Sequence, residues 1–218
     1  MPLKLPLPII YPITSGKTSP QTTSDDSQFS EILRLVRAAV DAEVPLFQIR
    51  EKSLHARVLF ELVARAAEIT RRSKTRLLVN DRSDIARAAG ADGVHLTTRS
   101  LPVEVVRKMF GAEFLIGVST HSLKEARAAQ IAGADFVVFG PVFKTESKRV
   151  YGEPQGLDKL LDVTQALGEF PVVAIGGITL DNVAECFHAG ARGVAAISML
   201  SDPQNMKDRI YKILTRWT

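Results

Sequence analysis

The chain has 218 residues, a formal net charge of +4, and a composition that is 45% hydrophobic and 24% charged. This length and apolar content suffice for one α/β core and exclude a disordered or low-complexity chain. One cysteine, Cys186, excludes a disulfide framework and a cysteine metal cluster and points to a reducing compartment.

The N-terminal stretch MPLKLPLPIIYPITSGK is apolar but broken by Pro2, Pro6, Pro8 and Pro12, unlike the core of a signal peptide. No segment is long and apolar enough to cross a bilayer. The expectation is a soluble, cytoplasmic protein with no membrane partner. The cationic run Arg71-Arg72-Ser73-Lys74-Thr75-Arg76 lacks the interleaved aromatics of a base-stacking surface and reads as a solvated helix end, so no nucleic-acid partner is expected. A modest positive excess suits an anionic small substrate.

Short β-rich runs predict strands at Ile9–Thr14, Leu46–Arg50, Leu77–Asn80, Gly93–Leu96, Leu115–Ser119, Phe136–Gly140, Val172–Ile175 and Val194–Ser198. Helical periodicity between them predicts helices at Phe29–Ala42, Leu54–Arg72, Asp84–Ala89, Val103–Phe110, Leu123–Ala132, Leu157–Leu167, Asp181–Ala189 and Asn205–Arg216. Strict β-then-α alternation predicts an α/β fold with a parallel sheet. Eight units in about 200 residues favour a single (β/α)8 TIM barrel spanning residues 1–218, with an open doubly wound sheet as the alternative. The echo Ala89-Gly90-Ala91-Asp92, Ala132-Gly133-Ala134-Asp135, Ala189-Gly190-Ala191-Arg192 marks helix-to-strand turns in which glycine takes the left-handed cap. Residues 15–28, SGKTSPQTTSDDSQ, read as a polar surface loop.

Barrel chemistry gathers at the carboxyl ends of the strands. The second strand ends Gln48-Ile49-Arg50-Glu51-Lys52; period two sets Gln48 and Arg50 on one face, and Arg50 with Lys52 suits a phosphate or pyrophosphate. An ion pair between Arg50 and Glu51 is the competing reading. The third ends Asn80-Asp81-Arg82, where Asp81 could ligate Mg²⁺ or cap the next helix. The fifth ends Ser119-Thr120-His121, with His121 suited to proton transfer and Ser119 to substrate binding or helix capping. After the sixth, Thr145, Ser147 and Lys148 could hold oxyanions. After the seventh and eighth, Gly177 and the Ile197-Ser198 step offer backbone N–H groups to a phosphate.

These stretches together resemble the thiamin phosphate synthase/TenI family, from Ile10 to about Leu200. The carriers are Gln48-Ile49-Arg50-Glu51-Lys52, Asn80-Asp81-Arg82, Gly93-Val94-His95-Leu96, Gly117-Val118-Ser119-Thr120-His121, Phe139-Gly140-Pro141-Val142-Phe143 and Ala174-Ile175-Gly176-Gly177-Ile178. The resemblance implies one of two activities. A synthase joins a pyrimidine pyrophosphate to a thiazole phosphate, with Mg²⁺ held by carboxylates after the third and fourth strands. A TenI-type tautomerase moves one proton on a carboxythiazole phosphate and needs no metal. The synthase pattern after the fourth strand is similar to HLGQEDLP; here it stands as His95-Leu96-Thr97-Thr98-Arg99-Ser100-Leu101-Pro102. Ser100 replaces the metal-binding Asp, a weak Mg²⁺ ligand beside a repelling Arg99.

On that departure the tautomerase is favoured, with His121 as proton shuttle, Gly177 and Ser198 on the phosphate, and Arg50, Thr145, Ser147 and Lys148 on the carboxylate. The synthase is the alternative, with Arg50, Lys52, Asn80 and Lys148 on pyrophosphate and Asp81 alone on Mg²⁺. Gln48, Ser119 and Ile197 complete the substrate-contacting set. A non-catalytic binding or regulatory homologue is the third reading. The resemblance also implies a homodimer or larger assembly.

Overall fold

The computed structural model describes residues 5–145 and 153–217. Strands β1 (Ile9–Pro12), β2 (Leu46–Ile49), β3 (Arg76–Asn80), β4 (Gly93–Leu96), β5 (Leu115–Thr120), β6 (Phe136–Phe139), β7 (Val172–Ile175) and β8 (Gly193–Ala196) alternate with helices. The helices are α1 (Ser27–Asp41), α2 (Ala56–Thr70), α3 (Ser83–Ala88), α4 (Val103–Phe110), α5 (Leu123–Ile131), α6 (Gly156–Leu167), α7 (Val183–His188) and α8 (Met206–Leu214). The eight strands form one parallel sheet in the order β1-β8-β7-β6-β5-β4-β3-β2. A parallel bridge from Ile13 to Gln48 brings its two edges together, so the sheet is a nearly closed barrel and not an open doubly wound sheet. The observed strands and helices match the predicted ones to within about two residues at each end. No α-helix follows β8 directly; a single 3₁₀ turn, Ser198–Leu200, stands there instead.

Side-chain alternation divides the core in two. One layer fills the barrel interior with Tyr11, Leu46, Leu78, Leu115, Phe136, Val138 and Val173. The other lies between strands and helices and includes Phe47, Val79, Val94, Ile116 and Val137. In the interior Tyr11 meets Phe136 edge-on at 5.7 Å. Gly117 makes room for that ring: a Cβ there would lie 2.3 Å from Phe136 Cζ.

The repeated turns are built as the echo suggests, with Gly90, Gly133 and Gly190 all at positive φ. The repeat's acids have a purpose that the pattern does not reveal. Asp92 accepts the N–H of Leu77, and Asp135 that of Ile116, each at the start of the preceding strand. Arg107 of α4 seals the second turn, donating to the carbonyls of Gly111, Phe114 and Gly133 and to Asp135 at 2.7 Å.

The loop 15–28 lies at the surface, as its polarity predicts, but it is tethered there. Thr18 and Thr22 are buried. The buried Glu51 carboxylate accepts from Gly16 N, Thr18 N and Thr18 Oγ1, tying the loop to the end of β2. Polar composition conceals this tether, in which one buried carboxylate takes up three of the loop's donors. Among the described residues no helix is long and apolar enough to cross a membrane.

Candidate active site

The carboxyl ends of the strands form a polar mouth above the apolar interior. On β2, Gln48 is 1% exposed and its Nε2 has no hydrogen-bond partner among the described residues. A buried amide N–H left open costs free energy unless a ligand or water takes it. Arg50 follows at the rim, its backbone N–H held by Thr14 Oγ1 at 2.8 Å. The competing Arg50–Glu51 pair does not form, because Glu51 is committed to the loop. Lys52 is exposed beyond them. Burial of its stem and the nearby Arg50 and Arg99 charges hold the Lys52 ammonium below the usual lysine range, against the attraction of Asp81.

Asn80 is buried at the end of β3. Asp81 next to it has φ +66°, a left-handed conformation uncommon outside glycine, and its N–H donates to the His95 carbonyl at 2.9 Å. Asp81 is not the helix cap that sequence offered as an alternative: the capping position of α3 is Arg82, without a side-chain bond. Arg82 is paired with Asp84. A cleft of about 230 Å³ runs between these strand ends, lined by Lys52, Asn80, Asp81, Arg82, Thr97 and Arg99. A cleft of similar size between α4 and α5 has apolar walls, including Val103, Val118 and Ala129, and lies on the outer face of the barrel.

The interior carries a polar chain that sequence reasoning left without a role. His95, on β4, is 3% exposed; its Nδ1 lies 3.3 Å from Tyr11 Oη and its Nε2 2.8 Å from Ser119 Oγ. Burial holds the Tyr11 phenol well above its ordinary range, so it stays protonated and donates to Nδ1. With Tyr11 donating to Nδ1, an imidazole that carries its proton on Nε2 would donate to Ser119 Oγ. Ser119 therefore does not cap α5; Ser122 does, accepting from Glu125 N. The signal available in the sequence was parity: His95 shares the inward register of Gly93 on a strand otherwise apolar.

His121 stands exposed at the rim between β5 and β6. Its backbone N–H donates to Glu125 and its Nδ1 donates to the Gly140 carbonyl, leaving Nε2 as the outward nitrogen. Across the ring, Gly177 has φ +65°, and a Cβ there would lie 2.6 Å from the Lys144 carbonyl, so only glycine fits. Among the described residues no hydrogen bond takes up the N–H of Gly177 or of Ser198. Ile197 is half-buried below Ser198, and Thr145 is half-buried after β6. Ser147 and Lys148 lie outside the described residues.

The carboxylate set does not fit a protein-built Mg²⁺ site. Asp81 is the one acid of the third and fourth strand ends facing the cleft. Ser100 Oγ is engaged by Thr97 N at 2.7 Å, closing its own turn. Among the described residues no cluster of three or more His, Cys, Asp or Glu could hold a metal.

The sequence profile described as Thiamine monophosphate synthase matches residues 18–200. Over 174 residues the chain is 48% identical to a putative thiamine-phosphate synthase of Geobacter sulfurreducens, covering 79% of this chain and 81% of that protein. Over 187 residues it is 42% identical to the thiamine-phosphate synthase of Moorella thermoacetica, covering 84% and 89%. Among solved structures, the thiamine phosphate pyrophosphorylase from Pyrococcus furiosus superposes with a TM-score of 0.79 at 29% identity over 96% of both chains.

Proposed function

Because this chain belongs to the thiamine monophosphate synthase family, we propose that it condenses a pyrimidine carried as its pyrophosphate with a thiazole phosphate to give thiamin phosphate and pyrophosphate. The fourth-strand loop by itself favours the tautomerase; the relatives are named as synthases, and that reverses the preference. One observation of the barrel carries the reading. Two anion-suited rims stand opposite each other. Arg50, Lys52 and Asn80 surround the ends of β2 and β3, while Gly177, Ile197 and Ser198 present backbone at the ends of β7 and β8. Strands β3 and β7 are four steps apart in a ring of eight. Two rims suit two phosphorylated substrates; the tautomerase substrate would set its phosphate on one and leave a lone carboxylate for the cations of the other.

In this reading the thiazole ring nitrogen attacks the methylene carbon of the pyrimidine, the carbon–oxygen bond to pyrophosphate breaks, and pyrophosphate leaves with the electron pair. Arg50 and Lys52 meet the charge that develops on the leaving oxygens, with Lys148 the further cation that the sequence offers. Gln48 Nε2 and the Ser119 hydroxyl are donors toward the pyrimidine between the rims. Gly177 and Ser198 N–H groups hold the thiazole phosphate beside Ile197, and Thr145 and Ser147 are the hydroxyl donors that the sequence offers it. His121 lies beside this path and transfers no proton in it. The synthase reading brings Mg²⁺ with it by resemblance; the donor set above does not fit that ion, and no step here runs through it.

Purified protein given both substrates should form thiamin phosphate and pyrophosphate in equal amounts. Aromatisation of carboxythiazole phosphate without condensation would restore the tautomerase. Binding of thiazole phosphate with neither reaction would mark a non-catalytic homologue.

A further inference from the structure

We propose that Arg99 supplies, as a fixed guanidinium, the positive charge that a divalent cation would otherwise bring to the pyrophosphate at the β2–β4 rim, so that this chain holds pyrophosphate without metal. The inference rests on the synthase reading and concerns how that reading's leaving group is held.

Three observations converge. The loop after β4 is shaped by Ser100, whose Oγ accepts from Thr97 N, and by Thr97 Oγ1, which accepts from Arg99 N. These bonds spend the hydroxyls that could have faced a cation and leave Arg99 exposed at the tip, on the wall of the 230 Å³ cleft. Second, the cleft crowds like charges. Lys52 feels Arg50 and Arg99 as repelling charges and Asp81 as an attracting one. Among the described residues Arg50, Lys52 and Arg99 form no ion pair, whereas Arg82 is neutralised by Asp84. Lys52 and Arg99 line the cleft with Asp81, and Arg50 is near enough to repel Lys52; this excess of cations repels Mg²⁺ and attracts a polyanion. Third, the chemistry of the donors matches. A guanidinium binds a phosphate edge bidentately and remains charged throughout the working range. Mg²⁺ surrenders its waters only to several hard oxygens. With Glu51 committed to the loop 15–28, this rim offers it the carboxylate of Asp81 alone. Asp81 instead shares the cleft with Lys52 and attracts it, partly offsetting the repulsion of Arg50 and Arg99.

Calorimetry with inorganic pyrophosphate tests this on the intact protein, in EDTA and in excess Mg²⁺. Pyrophosphate should bind in EDTA, and Arg99→Ala should weaken that binding about 10- to 100-fold. Arg99→Glu combined with Ser100→Asp should bind pyrophosphate only when Mg²⁺ is present. Arg99 is exposed, so its variants retain the fold, which circular dichroism verifies. If the unaltered protein binds pyrophosphate only with Mg²⁺, or if Arg99→Ala binds it unchanged in EDTA, the inference is overturned and the synthase reading stands. No binding of pyrophosphate under either condition would overturn both.

Discussion

His95 Nε2 lies 2.8 Å from Ser119 Oγ, inside the barrel and directly beneath its mouth. Tyr11 lies on the far side of the imidazole, its hydroxyl 3.3 Å from Nδ1, where it can bias which nitrogen carries the proton. Tyr11→Phe removes that control while keeping the ring that packs on Phe136. The expected outcome is a folded enzyme with kcat lowered about tenfold, about 1.4 kcal/mol of transition-state stabilisation, and KM little changed. An unchanged kcat would leave the chain of hydrogen bonds a purely structural one.

His121 separates the two activities of the family. Its Nδ1 contact to Gly140 is one that an Asn amide can reproduce, so His121→Asn preserves the rim. Condensation should change by less than about tenfold, since no proton moves through this residue. Any tautomerase activity should fall about 10²- to 10⁴-fold. A collapse of condensation in this variant would put His121 back into the main reaction.

Lys52 is held below the ordinary lysine value of about 10.4 in the anion-free protein. The sign follows from linkage: a base with a lowered folded pKa makes its charged form costly, a cost present at neutral pH and relieved as pH rises through the folded value. Pyrophosphate reverses this by favouring the ammonium. In the alkaline window below about 10.4, binding should therefore take up a proton. Titrations in two buffers of different ionisation enthalpy would reveal it, and Lys52→Gln should abolish the difference.

Arg107 closes the turn beneath β5 and β6 with bonds to four backbone carbonyls and to Asp135, itself largely buried. Arg107→Ala leaves the Asp135 carboxylate without its counter-charge. We expect a loss of about 2–4 kcal/mol in chemical denaturation, with substrate affinity unchanged because the mouth is at the other end of the barrel. Exposed pairs such as Arg57–Glu61 should cost less than about 1 kcal/mol when broken.

Cys186 is fully buried on α7, and burial with the neighbouring Glu185 charge pushes its thiol up to about 12. It should resist thiol reagents in the native protein and react at once in denaturant. Fast modification of the folded chain would show that α7 opens readily.

The barrel was legible because its signals are local. Alternation of short β-rich runs with 3.6-period segments needs no knowledge of distant residues, and the glycine-marked turns at Gly90, Gly133 and Gly190 repeat the same local geometry. The anion-suited strand ends were legible too, since period two fixes which residues share the rim with Arg50. Less local features escaped. Glu51 reads as a surface partner for Arg50, yet three donors from a loop more than thirty residues away bury it. Asp92 and Asp135 look like turn residues, but each serves the N–H of a strand before it in the chain.

The sequence by itself determined the alternation, the parallel sheet and the family, because hydrophobic period and glycine placement act over a few residues at a time. It also determined that the fourth-strand loop carries Arg99 and Ser100 where a carboxylate would be expected. Only the tertiary structure decided what those residues do. Barrel closure sets Tyr11, His95 and Ser119 in one line, from strands β1, β4 and β5. Among the described residues it leaves Gln48 Nε2 buried without a partner, and it brings Arg50, Arg99 and Asp81 within electrostatic reach of Lys52. Such pairings depend on side chains brought together across the ring, where through-space distance and burial, rather than order in the chain, fix the strength of every charge and hydrogen bond.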